Sequence, residues 1–365
     1  MARTDGAAIG GSRVTGRRQA NLRTLADHLG LSVTTVSRAL KDGPEVRPET
    51  IARVKEAAAE LGYVPNVGGI HLRTGRTMKV CSILYAPEVG DYGDPGFLAQ
   101  VESLSAGLEP SRYNLLMLAQ TGGQTPLDAV RKVAEQQLAD AVVFSRTTPL
   151  DERARYCLER DFPFVSFGRT ELLTPHAFVD HDDEGAVVDA VARLAADGHR
   201  RIALINPAGT LTYLGYRLRG YQRGLAESDL PRDPALSLTA DLSVRATREA
   251  ARRLLSADRS VTAIICANQM SVVGVLEGLI ACGIDTVRDG VTVVGFGGMP
   301  FRMLSDQRVV YYYQPQRRVG ATLAHHTLAL LAGEPAEGLT TVLPYERTDD
   351  LRRFRDDDSP MGAAV

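Results

Sequence analysis

Two sets of residues in this chain have the types and spacing for chemistry. The first lies near the N-terminus. Val33, Thr34, Ser37 and Arg38 fall on one side of a short helical stretch, away from Val36, Ala39 and Leu40. The Val33 and Thr34 methyls can meet a thymine methyl, and the forked Arg38 can take guanine O6 and N7 together. Such a face suits a DNA major groove. The second is of a kind that any arginine of this chain could supply, Arg217 included: five fixed donors that suit a carboxylate, a phosphate or sugar hydroxyls. A generic three-helix bundle and a plain surface arginine remain the alternatives at this point.

Other chemistry finds little support. Cys81, Cys157, Cys266 and Cys282 are far apart and form no C-x-x-C pair, so they read as reduced thiols buried near strands. His325-His326 has no carboxylate or cysteine at ligand spacing, and His181 and His199 read as structural, so no metal site is expected. There is no Gly-x-Ser-x-Gly elbow, phosphate loop or His-Glu-x-x-His motif. Gly295-Phe296-Gly297-Gly298 lacks the partner residues of a dinucleotide site. Neither an enzyme nor a cofactor is expected. The first twenty residues have no apolar stretch of signal-peptide type and no run of 18 apolar residues occurs, so a cytoplasmic protein is expected.

The elements that must position these residues begin at Asn21, a good N-cap for a helix through Leu29, which Gly30 ends. Ser32 caps a second helix from Val33 to about Leu40. A third begins near Pro48-Glu49 and carries Ile51, Val54, Ala58 and Leu61 on one side before Gly62. Helices this short bury a core only by crossing, and the first two have helix-turn-helix spacing. Charge follows the same division. Residues 1–79 hold 13 Lys/Arg against 7 Asp/Glu, while the remainder hold 29 against 37, within a net charge of -2. A basic head on an acidic body suits a polyanionic partner met by the head.

From Val80 onward, short apolar runs alternate with amphipathic stretches. Strands are expected at 80–85, 115–119, 140–144, 163–167, 177–180, 201–206, 261–266 and 291–295. Helices are expected at 97–109, 126–138, 184–197, 216–228, 244–256 and 270–282. This alternation implies an α/β core with parallel sheets, large enough for two lobes and a ligand cleft beyond the strands' carboxyl ends.

The stretch Leu25-Ala26-Asp27-His28-Leu29-Gly30-Leu31-Ser32-Val33-Thr34-Thr35-Val36-Ser37-Arg38-Ala39-Leu40 resembles the head of the lactose/galactose repressor family. Leu61-Gly62-Tyr63-Val64-Pro65-Asn66 and Leu72-Arg73-Thr74-Gly75-Arg76-Thr77 are similar to that family's third-helix end and hinge. Landmarks continue through Asp182-Asp183, Gly198-His199-Arg200, Arg217, Gly220-Tyr221, Ala267-Asn268, Val293-Val294-Gly295-Phe296 and Gln314-Pro315, so the resemblance covers roughly residues 21–349. It implies a helix-turn-helix head (21–64), a hinge (65–78) and a two-lobed periplasmic-binding-protein-like core (79–349). Lobe one would be about 79–176 plus 309–349 and lobe two about 177–308, flanked by a disordered basic tail (1–20) and a polar tail (350–365). It implies that Val33, Thr34 and Arg38 read bases, and that Thr35, Ser37 and Asn66 help hold the backbone. Leu72 would wedge open the minor groove from a hinge helix formed on DNA. It also implies an effector cleft lined by Arg217, with Asn268, Asp182, Arg169 and Phe97 as further candidates.

Five departures from the family pattern stand out, the first being Thr24 where the family carries an acidic residue. Lys41 replaces a usual asparagine and offers a phosphate contact. Gly68-Gly69 in the hinge costs up to ~2 kcal/mol of helix propensity relative to alanines, yet permits close backbone approach. Gln269 and Gly297-Gly298 stand where the family carries aspartates, which makes a less acidic pocket. Tyr311-Tyr312-Tyr313 offers a ring to stack on a ligand. The implied protein is a homodimeric transcriptional repressor on palindromic operator DNA, modulated by a small-molecule effector of carbohydrate type. Half-sites would lie about 34 Å apart or multiples of that, and dimer contacts would involve the helices at 97–109 and 270–282. A ligand-independent regulator and an activator remain alternatives.

Overall fold

The computed structural model describes residues 20–63, 75–85, 95–120, 123–241, 243–297 and 306–348. The basic tail, the hinge segment with Gly68, Gly69, Asn66 and Leu72, and the polar tail lie outside these residues. The chain divides into two compact units, Met1–Arg76 and Thr77–Val365.

In the first unit, α1 (Leu22–Leu29), α2 (Val33–Ala39) and α3 (Pro48–Glu60) start and stop where the local signals demand. Asn21 accepts from the Thr24 backbone N–H at 2.9 Å and Ser32 accepts from that of Thr35 at 3.1 Å, each satisfying a donor the helix cannot. Gly30 turns the chain between α1 and α2 with φ 65°, a left-handed conformation that glycine adopts without strain. No helix of 7, 8 or 13 residues is stable alone. Their crossing fully buries Leu25, Val36, Ala39 and Val54, and this packing holds them.

The second unit contains two six-stranded sheets. The first has the order β11-β5-β4-β3-β1-β2, with β1 (Lys79–Tyr85), β2 (Asn114–Gln120), β3 (Ala141–Phe144), β4 (Phe164–Phe167), β5 (Phe178–His181) and β11 (Thr340–Leu343), all parallel. The second has the order β12-β10-β9-β8-β6-β7, with β6 (Ile202–Asn206), β7 (Ser237–Thr239), β8 (Ala263–Cys266), β9 (Thr292–Gly297), β10 (Val309–Tyr313) and β12 (Glu346–Thr348). Only β12 is antiparallel there. Helices cover both faces of each sheet, as buried parallel strands require. On lobe one, α4 (Pro95–Leu108) and α11 (Gln316–Ala332) pack on one face, and α5 (Pro126–Glu135) and α6 (Glu152–Leu158) on the other. On lobe two, α7 (Asp183–Ala196) and α8 (Thr212–Glu227) oppose α9 (Val244–Ala257) and α10 (Gln269–Ala281).

Sheet membership moves the expected lobe boundaries. The segment 177–181 belongs to lobe one, because β5 pairs with β4 and β11. The segment 309–313 belongs to lobe two, because β10 pairs with β9, and β12 joins it there. The three crossings therefore lie at Asp182, at Gln314-Pro315 and at Pro344-Tyr345. Tyr311, Tyr312 and Tyr313 are strand residues, 1%, 3% and 4% exposed, packed within lobe two rather than offered to a ligand. Helix α8 begins at Thr212, a turn earlier than expected, and this puts Arg217 in its second turn. Gly220 lets α8 approach α7 closely, since a side chain there would land on the Glu184 carbonyl. Arg217 thereby reaches the start of α7. No described helix is long and apolar enough to cross a membrane.

Candidate functional site

On α2 the two faces separate cleanly. Val36 and Ala39 are buried, while Val33, Thr34 and Arg38 are exposed. Val33 is 44% exposed, an unusual solvent position for a β-branched apolar side chain in so small a domain. Thr35 is tied to its cap, with its hydroxyl 2.8 Å from Ser32 Oγ. Ser37 is half-buried at the edge of the face and Lys41 is exposed just beyond the helix. Arg38 Nε lies 3.2 Å from a Glu45 carboxylate oxygen, with both side chains about half exposed. Such a surface pair is worth little, so a polyanion can take the guanidinium over.

In the second unit, the ends of the crossings gather around Arg217. This side chain is only 4% exposed and sits between aromatic rings, its guanidinium carbon 4.6 Å from the Phe296 centroid and 4.9 Å from that of Tyr213. Its Nε donates to Asp183 Oδ1 at 2.7 Å, Nη1 to the Ala267 carbonyl, and Nη2 to the Tyr345 hydroxyl at 2.9 Å. Burial alone would push this group down. Tyr345 and Asp183 more than reverse that and raise it, so it stays charged. Tyr345 in turn donates to Asp183 Oδ1 at 2.7 Å, and burial and Asp183 hold its hydroxyl well above the ordinary tyrosine range.

The other candidates divide. Asn268 caps α10, accepting from Ser271 N and Oγ at 2.8 Å each, and adjoins the Ala267 carbonyl that Arg217 uses. Gln269 is buried, its Oε1 accepting from Tyr311 Oη at 3.1 Å. It lies against Gly297, whose φ is 153°, and a side chain at 297 would land on Gln269 and Tyr311. The two neutral departures are thus one packing solution: Gln269 fills the space that a residue at 297 would need. Arg169 extends from the end of β4 to Asp180 Oδ2 at 2.6 Å and the His181 carbonyl at 3.2 Å. Burial and the nearby Asp183 push the Asp180 carboxyl up, against the pull of Arg169.

Arg169 also lies over the Tyr216 ring of α8, 4.5 Å from its centroid, and so bridges the lobes. The lobes meet again where Thr212 N donates to the Thr147 carbonyl at 2.9 Å, and where Arg219 approaches Glu171 at 3.9 Å. Asp182 is exposed and caps α7 through Gly185 N at 2.9 Å, a bracing role at the first crossing. Phe97 is half-buried on the first turn of α4.

Sequence reasoning underrated Asp183, which it used only as a landmark, and missed Tyr345. The register of α7, which turns residue 182 outward and 183 inward, was the available signal for the first; Tyr345 had none. His181 lies below Tyr345, 4.9 Å between centroids. Burial lowers its imidazole to about 4. His199 is structural, its nitrogens 2.9 and 3.0 Å from the Thr262 and Thr292 hydroxyls. A surface depression of about 590 Å³ at the start of α9, lined by Ser243, Arg245, Arg248 and Glu249, brings none of the candidates together.

Comparison with known proteins gives two matching family models. Residues 21–66 match the model of bacterial regulatory proteins, lacI family, and residues 191–348 match the periplasmic binding protein-like domain. The HTH-type transcriptional regulator AglR of Rhizobium meliloti is 33% identical over 266 residues, covering 72% of this chain and 74% of that protein. A complex of the transcriptional regulator CelR with cellobiose superposes with a TM-score of 0.65 at 25% identity, covering 91% of this chain and 99% of that one. The lac repressor dimer bound to operator and the anti-inducer ONPF shares the fold, with a TM-score of 0.76 at 19% identity over 92% of this chain and 99% of that one.

Proposed function

Since this chain belongs to the lacI family of bacterial regulatory proteins, we propose that it is a transcriptional repressor that binds palindromic operator DNA as a homodimer and responds to a small-molecule effector of the carbohydrate class. The observation that carries the reading is the α2 face, where Val33, Thr34 and Arg38 stand exposed opposite a fully buried Val36 and Ala39. In this reading those three side chains contact base edges, Lys41 contacts phosphate, and Thr35 and Ser37 hold the backbone. Asn66 and Leu72 act from the hinge. Exposed apolar residues on the expected dimer helices support pairing of two copies: Leu98 on α4 and Ile280 on α10 are 72% and 67% exposed.

The effector occupies the cleft between the lobes, with Arg217 as its principal partner and Asn268, Gln269 and Arg169 around it. Asp182 braces the crossing, and Phe97 contributes at most an apolar wall. The cellobiose complex of CelR supports a carbohydrate ligand. A second reading, a regulator independent of any ligand, is favoured by one observation: Arg217 already donates to Asp183, Ala267 and Tyr345 within the chain. Titrating the purified protein against labelled DNA from upstream of its own gene, at fixed salt and with a panel of sugars and sugar phosphates, separates the two. Footprinted binding released by one compound establishes the effector-responsive repressor. Footprinted binding that no compound alters counts against a carbohydrate effector and favours a different effector class or the second reading, and absence of specific binding leaves either reading standing only if a distant operator is found.

A further inference from the structure

Tyr345 stands in the third crossing, between β11 of lobe one and β12 of lobe two. Its hydroxyl donates to Asp183 Oδ1 at 2.7 Å and accepts from Arg217 Nη2 and Gln314 Nε2 at 2.9 Å each. Asp183 directly follows the first crossing and Gln314 lies in the second, so a single oxygen joins all three. One donor and two acceptor positions are all that a phenol offers, and each is used. The ring is held in the same divided way. It lies 4.9 Å from His181 at the end of β5 in lobe one and 5.4 Å, edge-on, from Phe296 of β9 in lobe two. The residue is half-buried as a whole, while its hydroxyl lies in the enclosed cluster.

Bending of one lobe against the other must move these crossings relative to one another, and with them at least one of the three hydrogen bonds. Two of the three involve a charged group, the stronger class. We propose that Tyr345 is the hinge pin of the core: a positioning residue through which the hydrogen bonding of Arg217 sets the angle between the lobes. The inference rests on the reading of the core as an effector-responsive body, and it assigns the route from the cleft to the hinge. A ligand that takes Arg217 Nη2 removes one of the pin's three bonds.

The test uses the full chain with Cys282→Ser and spin labels at Leu173→Cys in lobe one and Glu227→Cys in lobe two. Both positions are exposed, and the other three cysteines are buried. The interlobe distance distribution is read by pulsed electron resonance, with circular dichroism as the check on folding. Tyr345→Phe keeps the ring and removes the hydroxyl, and it is expected to raise the population away from the parent separation by roughly tenfold or more. Gln314→Met removes one bond of the three and is expected to shift it the same way by about threefold, an independent test if the first variant folds poorly.

Tyr312→Phe is the control. It deletes a 2.6 Å hydrogen bond to Asp189, but one lying wholly inside lobe two, and should leave the distribution at that of the parent. A parental distribution in both Tyr345→Phe and Gln314→Met overturns the proposal, as does equal broadening by Tyr312→Phe. Binding of the upstream DNA fragment is measured on the same parent preparation. Its failure counts against the regulator reading and leaves the distance result to decide the pin.

Discussion

Replacing Asp183 by asparagine perturbs the buried charge pair around which the three crossings meet. Both side chains are nearly inaccessible, 5% for Arg217 and 4% for Asp183. Removing one partner of such a pair leaves an uncompensated charge in a low-dielectric site, which costs about 3–5 kcal/mol. Two features of the structure reduce that. The Ala267 carbonyl and the Tyr345 hydroxyl still accept from the guanidinium, and the Phe296 and Tyr213 rings still face it. The expected loss for Asp183→Asn is therefore near the lower bound, about 3 kcal/mol. Arg217→Met should cost a similar amount, since the carboxylate keeps only the Tyr345 hydroxyl. The double variant, with both charges gone, should be less destabilised than the sum by roughly 2–3 kcal/mol. The assay is urea unfolding of the core transition, followed by far-ultraviolet circular dichroism and tyrosine emission, as the chain contains no tryptophan. The head is a compact unit of its own, so its transition and that of the core are fitted as separate terms. A cost below about 1 kcal/mol for Asp183→Asn, or strict additivity in the double variant, would refute the picture of a buried, coupled pair.

Three further outcomes are expected. His181 takes up a proton near 6.5 when unfolded but at about 4 when folded. Acidification through that window should therefore cost stability, by about 3 kcal/mol in total, with no effect above it. His181→Phe should remove that share of the slope in urea unfolding series run between pH 7 and 4, leaving the contributions of His176, His199 and His326, which burial also lowers. Arg38→Ala should weaken binding of the upstream fragment by about 1–3 kcal/mol and relax preference at one base pair. It should barely change the stability of the head, because its pairing with Glu45 is exposed. Mobility shifts on single-base variants check this, and a uniform loss across sequences would reassign Arg38 to phosphate. Gly297→Asp should destabilise the core, through its collision with Gln269 and Tyr311 and through its φ of 153°. Adding Gln269→Ala should restore part of the loss in thermal unfolding, and no rescue would mean that backbone strain dominates.

The head was legible because its information is local. Asn21, Gly30, Ser32 and Pro48 each act within one turn of the helix they delimit. Eight of the core strands, β1 to β6, β8 and β9, were legible because each reads as a short apolar run, whereas β7 (Ser237–Thr239), three residues at a sheet edge, left no such signal. The later strands were harder for physical reasons. Thr340–Leu343 and Glu346–Thr348 are short, polar edge strands with no periodic signal. Val309–Tyr313 reads as strand or as ligand-stacking aromatics with equal ease. An apolar run also does not state which sheet it joins, and hence the lobe boundaries moved by about one strand at 177–181 and 309–313. Within the site, Arg217 was singled out because the family resemblance places an effector-binding arginine there; its side-chain chemistry is shared by every other arginine of the chain. Asp183 required the phase of α7, and Tyr345 required knowing that residues 183, 217, 314 and 345 meet, which depends on long-range topology alone.

That topology also fixes an order of events during synthesis. The head is sealed by residues 22–61, soon after they leave the ribosome. Lobe one is not. Its first five strands are complete at residue 181, yet Val319, Leu323 and Ala324 of α11, which cover Val80, Leu104 and Leu108, and the edge strand β11 come only after strands β6 to β10 of lobe two have been made. At translation rates of roughly 5–20 residues per second, that apolar face waits on the order of ten seconds for its cover. The nascent core thus emerges with all of lobe two but its antiparallel edge strand β12 made before the cover of lobe one. The sheet face awaiting α11 is the surface where a holding chaperone, or aggregation, competes with folding.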